Sequence, residues 1–150
     1  MDDAERLMAI EDIKQLKARY FRCMDTKDWE GFAAQFTTEA VMDVSGEMGG
    51  DGTGDEGITR GNRAIAEFVR SAIDDVVTVH HGHMPEIDVT SPTTANGIWA
   101  MEDMLRWPDG APLREMHGYG HYHERYEKHD GEWRIASTRL TRLRVDISTD

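Results

Sequence analysis

Apolar residues recur at helical spacing through the first part of the chain and at a spacing of two through its second half. Leu7, Ile10, Ile13, Leu16, Lys17, Tyr20 and Met24 fall near one face of a helix expected over residues 4–25. A short second helix is read over residues 28–36, with Asp28 as its N-cap. A third spans residues 61–73, with Ile65, Phe68, Val69 and Ile73 on one side. Between the second and third, residues 40–44 alternate like a strand. Four long strands follow, over residues 76–89, 95–107, 114–128 and 133–145, with turns at Ser91-Pro92, 108–112 and Asp130-Gly131. This order predicts one α+β domain over residues 1–150. Its expected form is a cone-shaped, curved antiparallel β-sheet, with three N-terminal helices on the concave face and a cavity between the layers.

Alternation along the strands sorts side chains into two faces. If His80 points inward, Gly82 and Met84 share its face. Trp99, Met101, Asp103 and Leu105 share one face of the next strand, and Gly118, Gly120, Tyr122, Glu124 and Tyr126 one face of the third. Two glycines on that face leave room for a ligand. Apolar Trp99 and Met101 beside Asp103 and Tyr122 describe a pocket of the small-molecule type. The opposite face carries His117, Tyr119, His121 and His123, suited to solvent or a subunit contact. The His117, Tyr119, His121 and Arg125 surface is the candidate interface of a homodimer or homotrimer.

Composition narrows the function classes. The formal charge of −12 disfavours nucleic acid and anionic membrane surfaces as partners. No apolar run has the length of a membrane span. The N-terminal residues lack the pattern of a signal peptide, so a cytoplasmic location is expected. The one cysteine, Cys23, cannot form an intrachain disulfide and reads as a buried, inert thiol. Residues 45–57 include six glycines, the composition of a mobile loop over a cavity mouth. They lack the calcium-loop pattern. The histidines do not guarantee a closed ligand set, so no metal or other cofactor is expected. Arg139, Arg142 and Arg144 are expected to pair with surface carboxylates rather than with a substrate acid.

The candidate chemistry begins with Tyr20 and Asp25, five residues apart near the end of the first helix. They sit roughly 140° apart around its axis, so Asp25 must turn into a pocket at the helix end. A third member comes from the run Val79-His80-His81-Gly82-His83. Tyrosine, aspartate and histidine together move protons without a metal or organic cofactor, and histidine ordinarily titrates at roughly 6.5.

The sequence resembles the SnoaL-like group of the nuclear transport factor 2-like superfamily over nearly its whole length. The likeness rests on Ile10-Glu11-Asp12-Ile13 leading to Tyr20 and Asp25, on Asp28-Trp29 and Phe36-Thr37-Thr38-Glu39-Ala40, and on 61–65. It continues through His80-His81-Gly82-His83-Met84-Pro85-Glu86-Ile87 and from Gly120-His121-Tyr122 to Asp130-Gly131-Glu132-Trp133. In site residues the resemblance is nearest to scytalone dehydratase and the bile-acid 7α-dehydratases. It implies Tyr20, Asp25 and His80 as catalytic residues, with His81 the alternative, since a one-residue slip exchanges faces. It places a further carboxylate at Asp103, which could protonate a leaving hydroxyl. Phe36, Phe68, His81, Trp99, Met101 and Tyr122 would bind a hydrophobic, cyclic, hydroxylated substrate. The expected activity is that of a dehydratase. The alternatives are a ketosteroid-isomerase-like isomerase, a polyketide cyclase, or a non-catalytic binding or partner-subunit protein.

Overall fold

The computed structural model describes residues 1–46 and 56–149. Most of the glycine-rich run expected to form a mobile loop therefore lies outside the described residues. Helix α1 (Asp3–Asp25) opens with a capping box: the Asp2 carboxylate accepts from the Glu5 amide, and the Glu5 carboxylate accepts from the Asp2 amide. Replacing Asp2 with alanine is expected to cost about 1 kcal/mol of stability, read by denaturant titration. The buried stripe of α1 includes Ile13, Leu16, Lys17 and Tyr20. Beyond Asp25 the chain turns through Lys27 at φ 63°. Asp28 then caps α2 (Trp29–Ala34), its carboxylate accepting from the Gly31 amide.

The second helix is shorter than its sequence suggests. Phe36 begins β1 (Phe36–Asp43) instead of ending α2. The cause is distant in sequence, because β1 pairs in parallel with the last strand, Phe36 against Ile135 and Val41 against Ser137. A further three-residue strand, β2 (Ile58–Arg60), pairs antiparallel with β1 and was not anticipated. Helix α3 (Asn62–Ile73) follows.

The long strands are β3 (Val77–Ser91), β4 (Thr94–Arg106), β5 (Glu115–His129) and β6 (Glu132–Ser148). The six-stranded sheet is curved and unclosed, in the order β2-β1-β6-β5-β4-β3. It is antiparallel except at β1/β6. At the β5–β6 hairpin Asp130 and Gly131 both take positive φ, 52° and 81°, the conformation that a two-residue turn requires. Helix α1 packs on β3 and β6, and α3 on β1.

Three irregularities set which side chains face inward. In β3 the register shifts between His83 and Glu86. The inward series Thr78, His80, Gly82 therefore breaks off, and Met84 is 92% exposed instead of sharing the His80 face. In β6, Ala136 and Leu143 are each an extra residue opposite β5. Inward positions in β6 thus run Trp133 and Ile135, then Thr138, Leu140 and Arg142.

Candidate active site

A cavity of about 430 Å³ lies between the sheet, α1 and α3. Its apolar wall includes Met24, Phe68, Val69, Leu105, Trp107 and Leu140. At its polar end stand Tyr20, Tyr122, His80, Asp103 and Arg142. A second depression, of about 550 Å³ and bordered by Glu86, Asp88, His123 and Arg125, is a shallow groove open to solvent.

Asp25 lies behind His80 at the end of α1. Its Oδ1 is 2.7 Å from His80 Nδ1, and its Oδ2 accepts from the His80 backbone amide at 2.8 Å. Oδ1 also accepts from the Thr78 hydroxyl at 2.9 Å, and that hydroxyl in turn accepts from Lys27 Nζ at 2.9 Å. The carboxylate is thus fixed by strand β3 on several atoms. Because carboxylates only accept, Nδ1 bears a proton, and the tautomer this selects for a neutral imidazole has its lone pair on Nε2. The His80 side chain is 7% exposed and lies parallel to the ring of Phe21, with centroids 6.3 Å apart.

Opposite His80, Asp103 Oδ2 is 3.8 Å from Nε2, beyond hydrogen-bond reach. Asp103 is engaged by Arg142, whose two terminal nitrogens donate to its two oxygens at 2.7 and 3.0 Å. Both oxygens of Asp103 thus accept from one guanidinium, a forked contact that the expected proton-donor use of Asp103 did not include. It also moves Arg142 from the surface pairing expected of it to the cavity wall. The pair occupies the space left by Gly118, where a Cβ would strike both Arg142 and Asp103. At Gly120 a Cβ would strike the Thr141 carbonyl oxygen, so that glycine serves the strand irregularity. Neither glycine makes the ligand space read into it. Gly118→Ala is expected to separate the ion pair, and to lower kcat/KM on a turned-over substrate about 100-fold with the circular dichroism spectrum retained.

Tyr20 and Tyr122 approach edge to face, with ring centroids 5.9 Å apart, and their hydroxyls are hydrogen-bonded. Burial, then the neighbouring Tyr20 and the charge of Asp103, holds the Tyr122 phenol protonated well above the usual tyrosine range. It is therefore a donor at any ordinary pH.

Of the expected substrate-binding residues, Phe68 and Tyr122 line the cavity. Phe36, Trp99 and Met101 do not. Phe36 packs in the core against Phe32 and Tyr20. Trp99 donates its indole N–H to Tyr126, and Met101 is buried with its sulfur toward Arg142. Both share the face of Asp103 but lie earlier in β4, away from the cavity. His81 points to the other face, where it is half exposed and 3.6 Å from Glu102. His83 and His117 approach the same carboxylate. Among the described residues, no group of three or more His, Cys, Asp or Glu is placed to hold a metal ion. Cys23 is buried near Asp28; burial and that carboxylate raise its thiol above the ordinary range, which suits an inert side chain. No helix is long and apolar enough to cross a membrane among the described residues.

Comparison with known proteins agrees with this architecture. A solved Mycobacterium tuberculosis protein of unknown function, an Asp-to-Asn variant, is similar at 28% identity with a TM-score of 0.78, over 94% of this chain and 75% of that one. A scytalone dehydratase candidate from Novosphingobium aromaticivorans is similar at 20% identity and a TM-score of 0.83, over 98% and 92% of the two chains. A hexachlorocyclohexane dehydrochlorinase from Novosphingobium barchaimii gives 17% identity and 0.80, over 98% and 94%. The SnoaL-like domain model matches residues 5–139. The chain thus belongs to the SnoaL-like domain family, within the nuclear transport factor 2-like superfamily.

Proposed function

We propose that this protein is a cofactor-independent acid–base enzyme, a dehydratase of hydrophobic, cyclic hydroxylated carbonyl compounds. The observation that carries the reading is the Asp25–His80 pair, held at 2.7 Å, with His80 on the wall of a largely apolar cavity. In the proposed reaction Nε2 of His80 takes the proton from the carbon beside the substrate carbonyl. The C–H electron pair moves into an enolate, Tyr20 donates a hydrogen bond to its oxygen, and Tyr122 donates to Tyr20 from behind. Asp25 stabilises the resulting imidazolium and keeps the ring oriented. The imidazolium then returns the proton to the β-hydroxyl as its C–O bond breaks. Water leaves, a conjugated double bond forms, and His80 is again neutral. Asp103 acts by orienting Arg142, whose guanidinium offers positive charge to the same end of the cavity.

The cavity supports a substrate-converting role over a purely structural one, because its polar groups converge on open space instead of packed side chains. The experiment is a screen of hydroxylated keto-steroids and polyketide-type β-hydroxy ketones with purified protein, read by enone absorbance and mass. Loss of one water supports the dehydratase. A shifted double bond at unchanged mass would replace it with an isomerase, and tight binding without conversion with a carrier.

A further inference from the structure

We infer that Lys17 is a positioning residue for this site: its ammonium, seated between the rings of Tyr20 and Tyr122, strengthens this hydrogen-bonded pair of phenols as a donor to an oxyanion in the cavity. This rests on the proposed function above and adds a residue outside the cavity lining. Lys17 Nζ lies 3.6 Å from the Tyr20 ring centroid and 3.7 Å from that of Tyr122. It is fully buried and pairs with Glu124 at 2.9 Å, itself with no exposed side-chain surface. The secondary structure presents all four groups together. Lys17 and Tyr20 are three apart on α1, and Tyr122 and Glu124 two apart on β5, so each pair shares a face.

A buried ion pair alone would tie α1 to β5 wherever the two meet. This one places its cation on the faces of the two rings whose hydroxyls reach the cavity. A cation there draws electron density from the ring and makes the O–H bond more polar. Burial keeps the Tyr122 phenol protonated against this pull. Charge developing on a substrate oxygen then meets a stronger donor in a water-poor setting. The cation is anchored from behind: Glu124 accepts from the Tyr126 hydroxyl at 2.8 Å, and Tyr126 accepts from the Trp99 indole at 2.8 Å. Burial pulls the Lys17 ammonium down from its ordinary range, and the Glu124 carboxylate opposes it.

The test uses 4-nitrophenolate as an oxyanion mimic and nitrobenzene as a neutral isostere, with binding read by absorbance titration. The variant Lys17→Met/Glu124→Gln removes both charges and keeps the Tyr126 partner. It is expected to bind 4-nitrophenolate about tenfold more weakly than the wild type, with nitrobenzene affinity unchanged. Lys17→Arg should restore most of the difference. Should the first variant fail to give a native circular dichroism spectrum, Lys17→Gln/Glu124→Gln is read in the same way. Equal phenolate affinity, or equal loss for both ligands, overturns the inference and leaves Lys17 a structural residue. Tyr20→Phe separates the two levels. If it binds the phenolate as tightly as the wild type, the oxyanion role of Tyr20 fails, and the proposed mechanism with it.

Discussion

Turnover of a β-hydroxy ketone should fall roughly 10²–10⁴-fold when His80 is replaced by alanine, with the melting temperature nearly unchanged. The size follows from the role: Nε2 is the free base at the polar end of the cavity, and it both removes and returns the proton. Stability is spared because the main ties of this part of β3 do not use the imidazole. Asp25 still accepts from the Thr78 hydroxyl and the residue-80 amide. Asp25→Asn should produce a loss in the same direction by another route. An amide facing Nδ1 no longer fixes the tautomer or stabilises the imidazolium. Unchanged kcat in both variants would remove the acid–base reading.

Lys17→Met, made alone, should be strongly destabilising. It leaves Glu124 buried and without its counter-charge, a cost of about 3–5 kcal/mol. For a chain of this length that corresponds to roughly 6–20 °C in melting temperature. The doubly neutral variant should recover most of the loss, since a buried pair is costly to break but cheap to replace whole. Thermal melts of the two variants side by side provide the check. Near-equal melting temperatures for Lys17→Met and the wild type would mean that the pair does not fasten α1 to the sheet.

Much of this fold was legible because periodicity reports directly on helices and long strands. α1, α3 and β3 to β6 arise from patterns that span ten or more residues, and their observed limits fall close to those expected. β1 and β2 were harder to read. Phe36 belongs to a strand only because β6, about a hundred residues later, supplies a parallel partner, and three residues carry no period.

At the site, alternation identified which face of β4 is inward but not how far along it the cavity begins. Trp99 and Met101 share the face of Asp103 and Leu105, yet only the latter two reach open space. Arg142 was hidden for a related reason. The extra residue at Ala136 reverses the parity of β6, so even-numbered side chains turn inward after it. A strictly alternating reading from Trp133 sends Arg142 to solvent. Tyr20 was easier, since it lies on the buried stripe of the unbroken helix α1, and His80 stands before the register shift in β3.

The placement of Asp25 has a consequence for self-association. β3 is the outermost strand of the sheet, fifteen residues long and paired only with β4. Such an edge offers unpaired amides to any extended chain that meets it. Asp25 occupies the residue-80 amide, Pro85 has no amide to offer, and the irregularity at Met84 breaks the flat run between them. The carboxylate proposed to orient the histidine therefore also closes part of the sheet to strand addition. Alanine at position 25 would open it, whereas alanine at position 80 would not. Inactive variants at these two positions should separate on storage, with the first forming aggregates and the second staying monodisperse.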